Sequence, residues 1–158
     1  MADGWFVINA RDARWVAREG FGKRCRFEPA GVHWEQLGIS LSVIAPGDRS
    51  TLYHAEDSQQ EDFLVLRGGC TAVIEDEERA LRQWDFVHCP PGTRHVFVNE
   101  SAEECVLLMV GARVGGGIVY PVSEVALKHR GGVEVEAHTP DDAYAPYGPW
   151  QATDSLEL

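Results

Sequence analysis

The chain has 158 residues, 44% of them hydrophobic and 25% charged, with a formal net charge of -11. That length suggests one domain, able to bury roughly 70% of its unfolded surface without staples. The acidic balance argues against a nucleic-acid partner and against an anionic membrane surface, though not against a small anionic ligand held at a local cationic spot.

In chain order, residues 5–8 (WFVI) form a short apolar run that reads as a strand. Residues 11–18 are mixed, with Trp15 and Val16 as apolar anchors, and fit a strand or a turn-rich segment as well as a helix. Gly20 and Gly22 break that segment, and residues 24–27 suit another strand. Leu37, Ile39, Leu41 and Val43 then recur with a period of two, the mark of a half-buried strand. After the loop at 45–50, Leu52, His54 and Glu56 share one face of a run whose other face holds Thr51, Tyr53 and Ala55. Residues 61–66 read as a buried strand, 70–75 as another, and 76–78 as a polar hairpin turn. Residues 80–86, 87–89, 94–98 and 105–110 continue the series of short extended runs.

Beyond Val110 the character changes. Glycines loosen residues 111–117, and one short helix is expected within 121–130, with Ser123 as cap and Gly131 and Gly132 past its end. Val133 and Val135 alternate with Glu134 and Glu136 as one last strand. The tail is rich in Pro and acid, and Tyr144, Tyr147 and Trp150 are placed to pin it to the body or to a partner subunit. Its final residues are expected to be loose. Many short strands with Gly/Pro turns and one late helix describe an all-β barrel or sandwich.

Four cysteines, Cys25, Cys70, Cys89 and Cys105, form no C-x-x-C pair and are expected as buried free thiols. The opening residues have no basic region followed by a long apolar run, so no signal peptide is expected. No apolar stretch approaches the roughly 20 residues that span a bilayer, and a cytoplasmic location is expected.

Two segments carry chemistry. Residues 53–68 contain His54, Glu56 and Glu61, and residues 90–99 contain His95. Glu61 shares a strand face with Phe63 and Val65, and His95 shares one with Phe97 and Asn99. If these faces all point inward, two imidazoles and two carboxylates meet inside an apolar interior. Two carboxylates in a poorly solvated pocket resist joint ionisation, and an unpaired interior charge costs several kcal/mol. A divalent cation removes both problems. Two His and one carboxylate with open positions is the arrangement of non-haem Fe(II) oxygenases, and the same ligands suit Mn, Ni, Cu or Zn.

The two segments resemble the paired motifs of the cupin superfamily. Its first motif, Gly, five residues, His-x-His, three or four residues, Glu, six residues, Gly, is filled by Gly47, His54, Glu56, Glu61 and Gly68. Six residues rather than five follow Gly47, and Glu56 stands where the family has its second His. The second motif, Gly, five residues, Pro-x-Gly, two residues, His, three residues, Asn, is filled by Trp84, Pro90, Gly92, His95 and Asn99, with Trp84 in place of Gly. The resemblance implies a single cupin domain over 1–158, a double-stranded β-helix (jelly-roll) barrel with its core at about 36–112 and one short helix and tail at about 121–158. It implies a divalent metal held by His54, Glu61 and His95, with Glu56 either a fourth ligand or a catalytic base beside the metal. It also implies a homodimer, for which residues 5–8 look like an edge strand needing cover. Trp84 is expected to pack where the family has its Gly.

The function so implied is action on a small organic molecule, as a dioxygenase or a metal-dependent isomerase or lyase. The competing class is a binding module that holds a ligand and catalyses nothing. Arg49, Arg67 and Arg94 are candidates for an anionic ligand, with solvated charge the plainer reading. His88 reads as solvated or structural, Cys70 and Cys89 as core packing, and His33, His129 and His138 are assigned no role.

Overall fold

The computed structural model describes residues 4–154. The loose chain end expected at the C-terminus falls on 155–158, outside the described residues. A 3-10 turn, Ala10–Asp12, leads into a β-rich body: β1 (Arg14–Arg18), β2 (Gly22–Arg26), β3 (Leu37–Ile44), β4 (Ala55–Glu56), β5 (Glu61–Arg67), β6 (Gly69–Ile74), β7 (Glu77–Arg82), β8 (Phe86–Cys89), β9 (His95–Val98), β10 (Cys105–Ala112) and β11 (Ile118–Val119). Two short helices, α1 (Glu124–Lys128) and α2 (Pro140–Ala143), precede a last strand, β12 (Gln151–Thr153).

Every strand pairing is antiparallel. A seven-stranded sheet runs β12-β1-β2-β3-β10-β5-β8, a three-stranded sheet β7-β6-β9, and a ribbon β11-β4. A bridge between His54 and His95 joins the ribbon to β9. Among the described residues the sheets stay separate rather than closing into one continuous barrel.

Alternation along the strands builds the core. Phe63 and Val65 of β5 and Leu107 of β10 face Ala72 of β6 and Phe97 of β9, forming the layer between the sheets. The intervening residues of β9, Val96 and Val98, point outward and are covered by Ala126 of α1. On the far face of the large sheet, Trp15, Cys25, Leu41, Val43 and Val106 form a second layer. The Trp15 indole donates to the Ala10 carbonyl at 2.8 Å, tying the 3-10 turn over that layer. Burying a side chain such as Phe97 or Leu107 stabilises the fold by about 1.5–3 kcal/mol.

Several expectations are corrected. Residues 5–8 form no strand, and Trp5 and Val7 are exposed, because no neighbouring edge offers its backbone a ladder. Residues 133–136 are not a strand, and the last strand is β12, which adds to the free edge of β1. The tail carries a second helix, α2, signalled by Thr139-Pro140: Thr139 accepts from the Asp142 N–H, and Pro140 stands in the first turn, where its missing N–H costs nothing. The expected run over 80–86 breaks after Arg82, where Gln83–Asp85 turn and Trp84 takes φ of +75°. Trp84 does not pack; it is 67% exposed. Left-handed backbone at this position explains why the motif has Gly there, since only Gly adopts it without strain.

Other expectations hold. Ser123 caps α1, accepting from Ala126 N–H at 3.0 Å. Tyr144, Tyr147 and Trp150 gather round buried Phe21 and pin the tail to the body. All four cysteines are free and buried.

Candidate metal centre

His54 and His95 are direct antiparallel neighbours. Each backbone N–H donates to the other's carbonyl, at 3.2 and 2.9 Å. That pairing sets the imidazoles side by side, ring centroids 4.8 Å apart. Glu61 comes from the opposite sheet, at the start of β5, on the same inward face as Phe63 and Val65. Its Oε2 lies 3.1 Å from His95 Nε2 and 3.6 Å from His54 Nε2. One ligand atom from each of the three residues lies within 4.8 Å of the others.

The backbone fixes which imidazole nitrogens face inward. His54 Nδ1 donates to the Leu52 carbonyl at 2.7 Å, and His95 Nδ1 to the Thr93 carbonyl at 3.0 Å. A carbonyl only accepts, so each Nδ1 carries the hydrogen and a neutral ring turns its Nε2 lone pair toward Glu61. Glu61 Oε2 is itself buried and has no hydrogen-bond partner. Two lone pairs and a carboxylate oxygen converging in one place call for a cation between them. Two ligands on one ion, at bond lengths of about 2.1 Å and angles of about 90–120°, stand about 3.0–3.6 Å apart. The two distances from Glu61, 3.1 and 3.6 Å, fall in that range, and two imidazoles with one carboxylate are a donor set that a divalent metal takes.

Without an ion, a proton takes that place. Burial works against charge on His95, but the neighbouring Cys89 and Glu61 outweigh it and push the imidazole up to about 10. Burial likewise raises the Glu61 carboxyl, but the neighbouring His54 and His95 imidazoles hold it well below the usual carboxylate range. Metal binding at such a site releases protons.

Glu56 is in the same cavity but outside this trio. Paired with Ile118 in the β4–β11 ribbon, it accepts from Gln59 Nε2 at 3.2 Å. Burial pushes its carboxyl above the ordinary range, with the imidazoles opposing and Glu61 reinforcing. The cavity holds about 510 Å³, and Phe63, Phe97, Met109, Ile118 and Tyr120 form its apolar walls.

The motif's other residues shape the backbone. Asn99 Nδ2 donates to the Ile44 and Glu103 carbonyls, both at 2.7 Å, tying two loops together. Gly68 has φ of +70°, and a Cβ there would lie 2.3 Å from the Glu104 carbonyl oxygen.

The remaining sequence candidates lie elsewhere. Arg67 pairs with Glu104, and Arg94 with Glu75 and Asp76. Arg49 is buried over the Phe21 ring, away from this cavity. His88 binds Asp62 at 2.6 Å, and His129 is held between Glu78 and Glu100, stapling α1 to β7. Sequence reasoning missed Arg18, Arg24, Tyr120, Tyr144 and Trp150, which line the cavity. All five lie outside the two motifs, and no local spacing links them.

Residues 40–111 match the family model described as "Cupin domain". Among solved structures, a sugar phosphate isomerase from a cupin superfamily, from Silicibacter pomeroyi, is 25% identical, with TM-score 0.55 over 84% of this chain and 80% of its own. A polyketide cyclase of Streptomyces resistomycificus is 14% identical, with TM-score 0.60 over 70% of this chain and 80% of its own. A predicted oxalate decarboxylase of Thermotoga maritima is 13% identical, with TM-score 0.60 over 69% of this chain and 100% of its own. The last two share the fold alone. No curated protein matches the chain in sequence.

Proposed function

The chain belongs to the cupin superfamily, and on that premise we propose that it is a metal-dependent isomerase or lyase acting on a small organic molecule. One observation carries the reading: a half-buried carboxylate, Glu56, shares the cavity with His54, Glu61 and His95 yet stands outside their cluster. A base near a metal site is what proton abstraction next to a carbonyl requires. Likeness to a protein described as a sugar phosphate isomerase supports the same class.

In this reading His54, Glu61 and His95 hold the metal. Bound there, a divalent ion supplies Lewis acidity toward a carbonyl or enolate oxygen. Glu56 takes a proton from the adjacent carbon and returns it. Burial raises its carboxyl above the ordinary range, which makes it a stronger base than a solvated carboxylate. Gln59 steadies one of its oxygens. Phe63, Phe97 and Tyr120 keep bulk water from the reacting carbon.

A second reading, a dioxygenase, is favoured by the donor set, two His and one carboxylate with positions to spare. If Glu56 coordinates as well, fewer open positions remain, and a non-catalytic binding role gains. We further propose that the chain forms a homodimer.

The test is metal content and exchange. Protein purified without added metal should carry about one divalent transition metal per chain. In D2O it should introduce deuterium beside the carbonyl of some member of a panel of small hydroxy-carbonyl compounds, and Glu56→Gln should keep the metal and lose the exchange. Metal-free protein that gains no stability when Fe, Mn, Ni, Cu or Zn is added would overturn the reading. Exchange that survives in Glu56→Gln would remove that residue as the base.

A further inference from the structure

The metal chemistry leaves one wall of the cavity unused. It is built by the β1–β2 hairpin and by Trp150, just before β12, all outside residues 40–111. Arg24 sits opposite Ser42, Ser42 opposite Leu107, and Leu107 opposite Val65. Residues directly opposite share a face, so Arg24 points inward with core residues Leu107 and Val65. Val16 is opposite Arg24, and Arg18, two residues on, shares its side. Two arginines thus reach into the cavity from a wall built outside the two motifs.

The Trp150 ring lies against both, 5.2 Å from the Arg18 guanidinium carbon and 5.1 Å from that of Arg24. Tyr144 adds a second face to Arg18 at 5.0 Å. Arg24 donates from Nη2 to the Ser50 carbonyl at 3.1 Å. The Nε atoms of both arginines are buried without a hydrogen-bond partner. Among the described residues no carboxylate lies within 4.0 Å of Arg18 or Arg24; the same holds for Arg49, whose Nε is also buried and unpaired, but only Arg18 and Arg24 line this cavity. Asp141 and Glu56 also line the cavity without pairing with either.

Two like charges with orphaned donors, stacked on one indole, repel each other and leave hydrogen bonds unmade. An anion entering the cavity relieves both defects. Two guanidiniums carry two charges, and a carboxylate balances only one. A phosphate monoester carries nearly two near neutrality and offers three acceptor oxygens. A cavity of about 510 Å³ suits a small molecule with one end at each wall.

We propose that Arg18 and Arg24, backed by Trp150, form a phosphoryl-binding subsite, and that the substrate is a small phosphate monoester whose reacting end faces His54, Glu56, Glu61 and His95. The proposal rests on the reading of this cavity as the substrate site.

The test separates the two. Inorganic phosphate, glycerol 3-phosphate and malonate are titrated calorimetrically into the metal-free full-length chain. Phosphate and glycerol 3-phosphate should bind with a Kd of about 1 mM or below. Arg24→Met and Arg18→Met should each weaken binding tenfold or more, and Arg67→Met, outside the cavity, should leave it unchanged. Arg24→Lys, which keeps the charge and loses the fork, guards against misfolding and should fall between wild type and Arg24→Met. Phosphate binding without metal binding keeps the subsite and removes the metal reading. Metal binding without phosphate binding removes the subsite alone. Malonate binding more tightly than both phosphates, or phosphate binding unchanged in folded Arg24→Met, overturns the proposal.

Discussion

Replacing Glu61 by Gln should remove most of the stabilisation that a bound metal gives. The carboxylate Oε2 stands 3.1 and 3.6 Å from the two imidazole Nε2 atoms, so the change takes the negative charge from the point where all three converge. A ligand at 100 times its Kd stabilises the folded state by about 2.7 kcal/mol. For a chain of this length that raises Tm by roughly 5–10 °C. If Glu61→Gln weakens binding about 100-fold, the same metal concentration gives about 0.4 kcal/mol, or roughly 1 °C. The metal-free variant also loses its ion pair with His95, so the quantity to compare is the metal-induced shift, not the absolute Tm. Differential scanning fluorimetry with and without metal measures it, with metal content as a cross-check. Glu56→Gln should keep most of the shift, since Glu56 lies outside the trio. A full metal-induced shift in Glu61→Gln would refute the assignment of Glu61 as a ligand.

Gly68→Ala should destabilise the chain by more than about 2 kcal/mol. The left-handed backbone alone costs about 1–2 kcal/mol, and the clash with the Glu104 carbonyl oxygen at 2.3 Å adds to it. Gly115→Ala, whose Cβ would meet nothing within 4 Å, is the control; equal melting of both variants would contradict this. The Arg113 guanidinium beside Glu28 holds its carboxyl down at about 2, against an ordinary 4.5. A depressed carboxyl contributes stability that is present above the unfolded pKa and lost as pH falls through the folded one. Wild type should therefore lose stability faster than Glu28→Gln between about pH 4.5 and 2, and parallel urea-unfolding curves for the two would count against the pairing. Light scattering at micromolar concentration should give the mass of a dimer; a monomer mass would defeat the homodimer proposal.

The motif residues were legible because their signals are local. Strand alternation allowed His54, Glu56, Glu61 and His95 to face one way, the cupin motifs marked His54, Glu61 and His95 among them, and the structure brings those three together. Ser123 was likewise readable as a cap, because capping is settled within one turn of chain. Residues 5–8 misled: their apolar composition suits a strand, but a strand exists only where a partner edge accepts its hydrogen bonds. Trp84 misled in another way, since its large ring suggested packing while its backbone conformation turns it to solvent.

The sequence by itself determined the β-rich class and the two motif segments, and it offered four donors, of which the cupin resemblance singled out His54, Glu61 and His95. Alternation and glycine placement are properties of a few adjacent residues, and they act before any long-range contact forms. Only the tertiary structure decided that Glu56 stands apart from the trio, and that Arg18, Arg24 and Trp150 meet on one wall of the cavity. Those three residues are drawn from the two ends of the chain. They come together because β12 adds to the free edge of β1, and a strand edge accepts any segment with a matching ladder, whatever its distance in sequence.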